Sequence, residues 1–136
     1  MLNPNLMLRY YDLVEKYDRT TSKEKLVLLE KELESLSQED EFYFDPKNLL
    51  ILVKIELNKE KEARQLVEQT YKEVVEFLKE KKIEQLDYID LNDRHIFRIL
   101  NTCWLLFSEW GKHQEAVKVL KILKKIDKRK YFLSEE

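Results

Sequence analysis

The sequence predicts an all-α protein built of stacked helical hairpins, and three observations carry that expectation. One Gly and two Pro in 136 residues are too few turn-formers for the short strands of a sandwich or barrel, whereas Leu, Lys and Glu, all good helix formers, abound. Apolar residues recur at three-and-four spacing through most of the chain, which gathers them on one helical face. Asn3-Pro4 and Asp45-Pro46 each place a capping side chain before a proline, the arrangement that suits a helix start. A chain of this length is expected to form one domain, residues 1–136, that buries roughly two-thirds of its unfolded surface.

The elements follow in order. After Asn3 and Pro4 a first helix is expected over Leu6 to Tyr17. Thr21 and Glu24 match a capping box, in which a hydroxyl and a carboxylate satisfy each other's backbone donors, so a second helix should run from Ser22 to Leu36 on the stripe Leu26, Leu29, Leu33 and Leu36. Ser37 to Phe44 breaks the period and is expected as a loop whose aromatics Phe42, Tyr43 and Phe44 pack over the hairpin junction. Asp45 and Pro46 open a third helix to about Leu57, and Asn58 suits the turn. A fourth helix is expected from about Glu60 to Lys82 on Ala63, Leu66, Val67, Thr70, Tyr71, Val74, Phe77 and Leu78. Ile83 to Leu91 is a connection. From Asn92 the fifth helix carries Ile96, Ile99, Leu100, Cys103, Leu106, Phe107 and Trp110. Gly111 then supplies a left-handed turn, and a sixth helix restarts the period with Ala116, Val119, Leu120, Leu123 and Ile126.

An internal repeat links the two later hairpins. Leu57 to Val67, LNKEKEARQLV, matches Trp110 to Leu120, WGKHQEAVKVL, with the pairs Glu62-Ala63 and Glu115-Ala116 coinciding at a shift of 53 residues. Alanine lets the second helix of a hairpin approach the first closely, so its recurrence marks the tightest crossing of each pair. The first hairpin fits less well, because Glu24 and Lys25 take the Glu-Ala slot.

The run Gly111-Lys112-His113-Gln114-Glu115-Ala116 resembles the turn of tetratricopeptide-type repeats, with His113 in that family's aromatic position. The resemblance is specific over Leu105 to Ile126, weaker over Leu49 to Thr70, and topological before Ser37. It implies a right-handed, tetratricopeptide-like array of three hairpins, although the shift of 53 residues is long beside that family's period of about 34. An irregular array rich in Lys, Glu, Ile and Tyr is also similar to the peptide-sensing domain of Rgg/MutR-type and PlcR-type transcriptional regulators of low-GC Gram-positive bacteria. A complete regulator of that kind carries a DNA-binding helix-turn-helix ahead of its repeats. None is visible in this sequence, so the resemblance implies a sensing portion or a free-standing repeat protein, with no direct DNA binding by these residues.

Side chains suited to catalysis do not form a pattern. No nucleophile–base pairing or metal-ligand spacing stands out. His95 and His113 lie 18 positions apart on different helices, where structural or surface roles are the plainer reading. Cys103 falls between Leu100 and Phe107 on the apolar stripe, the place of a small core residue. The expectation is a non-enzymatic protein with no cofactor and no metal.

Opposite the apolar stripe of the fifth helix, Arg94, Arg98, Asn101, Leu105 and Ser108 form a second line. At the 53-residue shift Asn101 coincides with Asn48. In tetratricopeptide-like binders, asparagines on the first helix of each hairpin clamp an extended peptide, since a side-chain amide both donates and accepts. The candidate ligand-binding residues are therefore Asn48, Asn101, Arg94 and Arg98, the arginines pairing with a ligand carboxylate. Local caps and helix salt bridges are the competing roles for the same side chains.

The net charge of −2 gives no general attraction to nucleic acid or anionic membrane. Charge is uneven, however. Ser22 to Asp45 holds three lysines against eight acids, a net of −5, and Gly111 to Glu136 holds eight basic residues against four acids, a net of +4. Opposed patches favour self-association, and Tyr131, Phe132 and Leu133 after the last helix suggest a homodimer built on the C-terminal hairpin and tail. One cysteine, no secretory-type apolar run before Asn3 and no stretch near the roughly 20 residues a spanning helix needs lead to the expectation of a cytoplasmic protein. The expected function is recognition of a peptide or protein segment, as in the sensing part of a peptide-responsive regulator. The alternative is a structural adaptor that binds a partner through end or convex surfaces.

Overall fold

Asn3 acts as the sequence predicts: its side chain accepts from the Asn5 N–H at 2.9 Å, Pro4 follows, and helix α1 runs Pro4–Arg19. The computed structural model describes residues 2–20 and 22–130. Five further helices follow, α2 Lys23–Glu39, α3 Asp45–Glu56, α4 Glu60–Glu80, α5 Arg94–Glu109 and α6 His113–Ile126. The fold is all-α, and among the described residues β-pairing is confined to one isolated parallel bridge, Leu86 with Asp127. The chain divides into two compact units, Met1–Thr70 and Tyr71–Glu136, and α4 runs through the division.

In the first unit, α1 packs on α2 and α3, and α2 packs on α3. The core is Leu6, Leu13, Leu29, Leu33, Leu36, Tyr43, Leu49, Leu50, Val53 and Leu57, with Leu26 and Leu66 partly buried against it. The predicted capping box involves Thr21, which lies outside the described residues. Ser22 caps α2 instead, accepting from the Lys25 N–H at 3.2 Å. Helix α2 also runs to Glu39, into the loop expected from Ser37. The Ser37 hydroxyl donates to the Glu34 carbonyl at 2.9 Å and stays on the helix, so the chain leaves only at Asp40. Tyr43 and Phe44 are buried, as expected of aromatics over the junction. Asp45 is not the cap of α3. Phe44 holds that position, and Asp45 is the first helical residue, buried ahead of Pro46.

Two turns show the repeat in backbone geometry. Leu57 (φ −84°, ψ 8°) and Trp110 (φ −86°, ψ 8°) end α3 and α5 in one conformation. The next residues are left-handed, Asn58 at φ 60° and Gly111 at φ 77°. Lys59 N–H donates to the Lys54 carbonyl at 2.8 Å and Lys112 N–H to the Phe107 carbonyl at 2.8 Å. Asn58 N–H reaches Ile55 O at 3.0 Å and Gly111 N–H reaches Ser108 O at 3.2 Å. These are paired Schellman motifs. Five residues past each left-handed residue comes a buried alanine, Ala63 or Ala116.

In the second unit, α5 and α6 close on each other. Ile96, Ile99, Leu100, Cys103, Leu106 and Phe107 face Ala116, Val119, Leu123 and Ile126 as buried stripes, while Leu120 and Trp110 are partly exposed. His95 and Phe97 are buried as well. Helix α4 ends at Glu80, short of the expected Lys82, which is left-handed at φ 54°. The connection 81–93 is tied down at Leu86, whose N–H donates to Ile126 O at 2.6 Å and whose carbonyl accepts from Lys128 N–H at 3.0 Å. Arg129 grips Asp87 with two hydrogen bonds of 2.6 and 3.1 Å.

Candidate functional site

The four residues predicted to bind a ligand fall in different surroundings. Asn48 lies on α3 in the first unit, half-buried, with a buried Oδ1 that has no hydrogen-bond partner. A clamp at Asn48 would therefore have to use its Nδ2, since the acceptor oxygen is not presented to solvent. Asn101, Arg94 and Arg98 lie on α5 in the second unit, all half-buried. Arg94 Nε donates to the Tyr88 carbonyl at 2.8 Å, and the guanidinium lies 5.3 Å from the Tyr88 ring centroid, so this side chain pins the connection to the start of α5. The structure thus brings Arg94, Arg98 and Asn101 onto one helix and places Asn48 in the other unit.

Cys103 is fully buried, and burial pushes its thiol up to about 12, which keeps it protonated at neutral pH. No group of three or more His, Cys, Asp or Glu among the described residues is placed to hold a metal ion.

A buried ion-pair network lies in the first unit. Lys54 Nζ on α3 donates to Glu30 at 2.7 Å, Glu34 at 3.2 Å and Glu62 at 2.9 Å, using all three of its protons. The second oxygen of Glu30 accepts from Lys59 Nζ at 2.8 Å. Both Lys54 and Glu30 are buried, and a buried pair is tolerable only when its hydrogen bonds are complete. Burial alone would raise the Glu30 carboxyl, but the bonds from Lys54 and Lys59 outweigh it and hold it below the usual range. Burial likewise opposes the charge on Lys54, and its three carboxylates raise it well above the ordinary lysine value. The network latches α2, α3 and the start of α4 together. Tyr17 on α1 adds a hydrogen bond to Glu56 on α3.

Open surface lies instead along the seam between α1 and α2. Two depressions occur there, one of about 420 Å³ lined by Leu8, Arg9, Asp12, Leu13, Glu32 and Leu36 among others, and one of about 350 Å³ lined by Lys16, Arg19, Lys25, Leu28, Leu29 and Glu32 among others. Glu32 lines both, and its contact with Lys16 at 3.5 Å crosses the seam between them. That pair is half exposed on each side, and such pairs contribute little. Leu8 (65% exposed) and Leu28 (61% exposed) edge the two depressions. Arg9 closes the far end through a bidentate pair with Glu39, at 2.8 and 2.7 Å.

The alanine slot is filled differently in α2. Ala63 and Ala116 are buried where their helices begin, donating to the Lys59 and Lys112 carbonyls; in α2 the matching bond, to the Ser22 carbonyl, comes from Leu26 and not from the expected Lys25, so the partly buried Leu26 holds the slot and the exposed Lys25 beside it lines a depression. Leucine is bulkier than the alanine of the other hairpins, and Lys25 and Leu28 on either side of the slot remain at the surface. The sequence reading passed over Leu8, Leu28 and the basic rim. The available signal was Leu28 itself, which stands about 100° around the helix from the Leu29 stripe.

No protein-family model matches the chain, and no curated protein and no solved structure matches it.

Proposed function

We propose that the chain is a non-enzymatic recognition module that takes a peptide or protein segment into the groove between α1 and α2. The single observation that carries this reading is the pair of depressions aligned on one seam, each edged by an exposed leucine. Solitary exposed leucines are ordinary on protein surfaces, but two on the walls of one groove offer anchoring points for apolar side chains. Burying a leucine-sized side chain at such a point contributes about 1.5 to 3 kcal/mol before the costs of association. An amphipathic helix laid along a groove is an established mode of recognition.

The tetratricopeptide-like character is part of the proposal, supported by the twin Schellman turns and the buried alanines that follow them. A sensing role within a peptide-responsive regulator is one setting for such a module and calls for the same groove. The adaptor reading has its own support in Leu105 and Val117, each about half exposed on α5 and α6.

The test is backbone amide NMR of the full chain titrated with amphipathic helical peptides. Shifts centred on Leu8, Leu28 and Glu32 that vanish in Leu28→Gln are expected. Shifts centred on Leu105 and Val117 would transfer the function to the adaptor surface.

A further inference from the structure

We infer that the segment taken by this groove is an acidic amphipathic helix, with two apolar anchors about two turns apart and carboxylates gathered around the anchor that enters the Leu28 depression. The inference rests on the groove reading and adds the chemistry of the occupant.

The spacing comes from α1. The residues of α1 that line the first depression are Leu8, Arg9, Asp12 and Leu13, and those that line the second are Lys16 and Arg19, with the C-cap Thr20 beside them. The two sets are centred seven to eight residues apart, about 11 Å at the helical rise, which is the separation of positions i and i+7 on a partner helix.

The charge comes from an imbalance between the two depressions. Around Leu8, the one cation, Arg9, is held by Glu39, and Asp12 and Glu32 are the neighbouring acids. Around Leu28 stand Lys16, Arg19 and Lys25 with Glu32 as the only acid in the lining. Lys16 is shared between Asp12 at 3.6 Å and Glu32 at 3.5 Å. Arg19 and Lys25 form no ion pair among the described residues, and the acids nearest in sequence, Glu15, Asp18 and Glu24, do not supply one. Two unpaired cations beside an apolar depression present donors to a carboxylate and a floor to a leucine, and this arrangement selects for acids near the anchor.

The experiment uses the full chain and three labelled peptides of about 18 residues, long enough to hold helix in water. All carry leucines at i and i+7, and the residues flanking one leucine are Glu, Gln or Lys. Fluorescence anisotropy at low salt is expected to give the Glu peptide at least about tenfold tighter binding than the Gln peptide, with the Lys peptide weakest. The ratio should fall towards one near 1 M salt, where the screening length is about 3 Å. Arg19→Glu with Lys25→Glu should reverse the order at an unchanged melting midpoint. If that variant does not fold, Arg19→Gln with Lys25→Gln should equalise the Glu and Gln peptides. Equal binding of all three peptides to the natural chain would overturn the charge inference and leave the groove reading standing, whereas no binding by any of them would remove both. Self-association of the chain alone that is abolished by Leu28→Gln would make a second copy the occupant and overturn the inference.

Discussion

The hairpin of α5 and α6 and the seam of α1 and α2 are closed in different ways. In the former, a left-handed glycine and a buried alanine bring two helices together over Ile99, Leu100, Cys103, Phe107, Val119 and Leu123, all essentially inaccessible to solvent. In the latter, Leu26 stands in the alanine slot, two leucines remain exposed, and contacts that span the seam are half-exposed ion pairs, Arg9 with Glu39 and Lys16 with Glu32. The first unit offsets the open seam with the Glu30–Lys54 network, which ties α2 to α3 and α4 rather than to α1.

The largest expected effect comes from that network. Lys54→Ala leaves Glu30 buried with only Lys59, and loss of one partner of a buried ion pair costs about 3 kcal/mol or more. Replacing Lys54 and Glu30 together by Met should restore most of the loss, since an apolar pair needs no compensation. Urea melts of the single and double variants check both statements, and a double variant as unstable as Lys54→Ala would show that the network is not a closed pair.

Ala116→Trp comes next. Overpacking a close crossing costs about 1 to 3 kcal/mol, whereas Lys25→Trp, at an exposed position on the open seam, should stay within about 0.5 kcal/mol of the natural chain. Equal losses in the two thermal melts would mean that the seams do not differ.

Acid should separate the units as well. The Glu30 and Glu62 carboxyls are held below their ordinary values in the folded state, Glu62 mainly by its bond from Lys54. Their contribution is present above the unfolded value of about 4.3 and is lost as pH falls through the folded values. Hydrogen exchange at about pH 3 should therefore show the α2 and α3 amides losing protection before those of α5 and α6. The smallest effect belongs to Arg9→Ala, which removes a half-exposed pair and should leave the melting midpoint unchanged.

How much of this was legible in the sequence depended on whether the signal was periodic. The apolar stripe of α5 was readable because each turn repeats it, and Gly111 was readable because a left-handed residue favours glycine. Asn58 carried the same turn without glycine, and it was readable because asparagine tolerates the left-handed conformation. The Lys54 network was illegible, since carboxylates at helix-surface spacing read as a solvated face until α3 brings a lysine against them. The end of α2 was misjudged at Ser37, because a serine that bonds back to its own helix looks like a breaker. Asn48 and Asn101 matched in spacing, but spacing does not reveal that the Asn48 oxygen is buried. The homodimer expected from Tyr131, Phe132 and Leu133 rests on residues outside those described. No helix among the described residues is long and apolar enough to cross a membrane.

The central claim is that the α1/α2 seam, and not the α5/α6 surface, receives a partner segment. Leu28 and Val117 are comparably exposed, at 61% and 50%, and glutamine at either site removes an apolar anchor without adding charge. The deciding measurement is the affinity of the tightest-binding amphipathic peptide for Leu28→Gln and Val117→Gln, each in the full chain. The account predicts a loss of about tenfold or more, equivalent to about 1.4 kcal/mol, for Leu28→Gln and less than about twofold for Val117→Gln; the reverse order would contradict it.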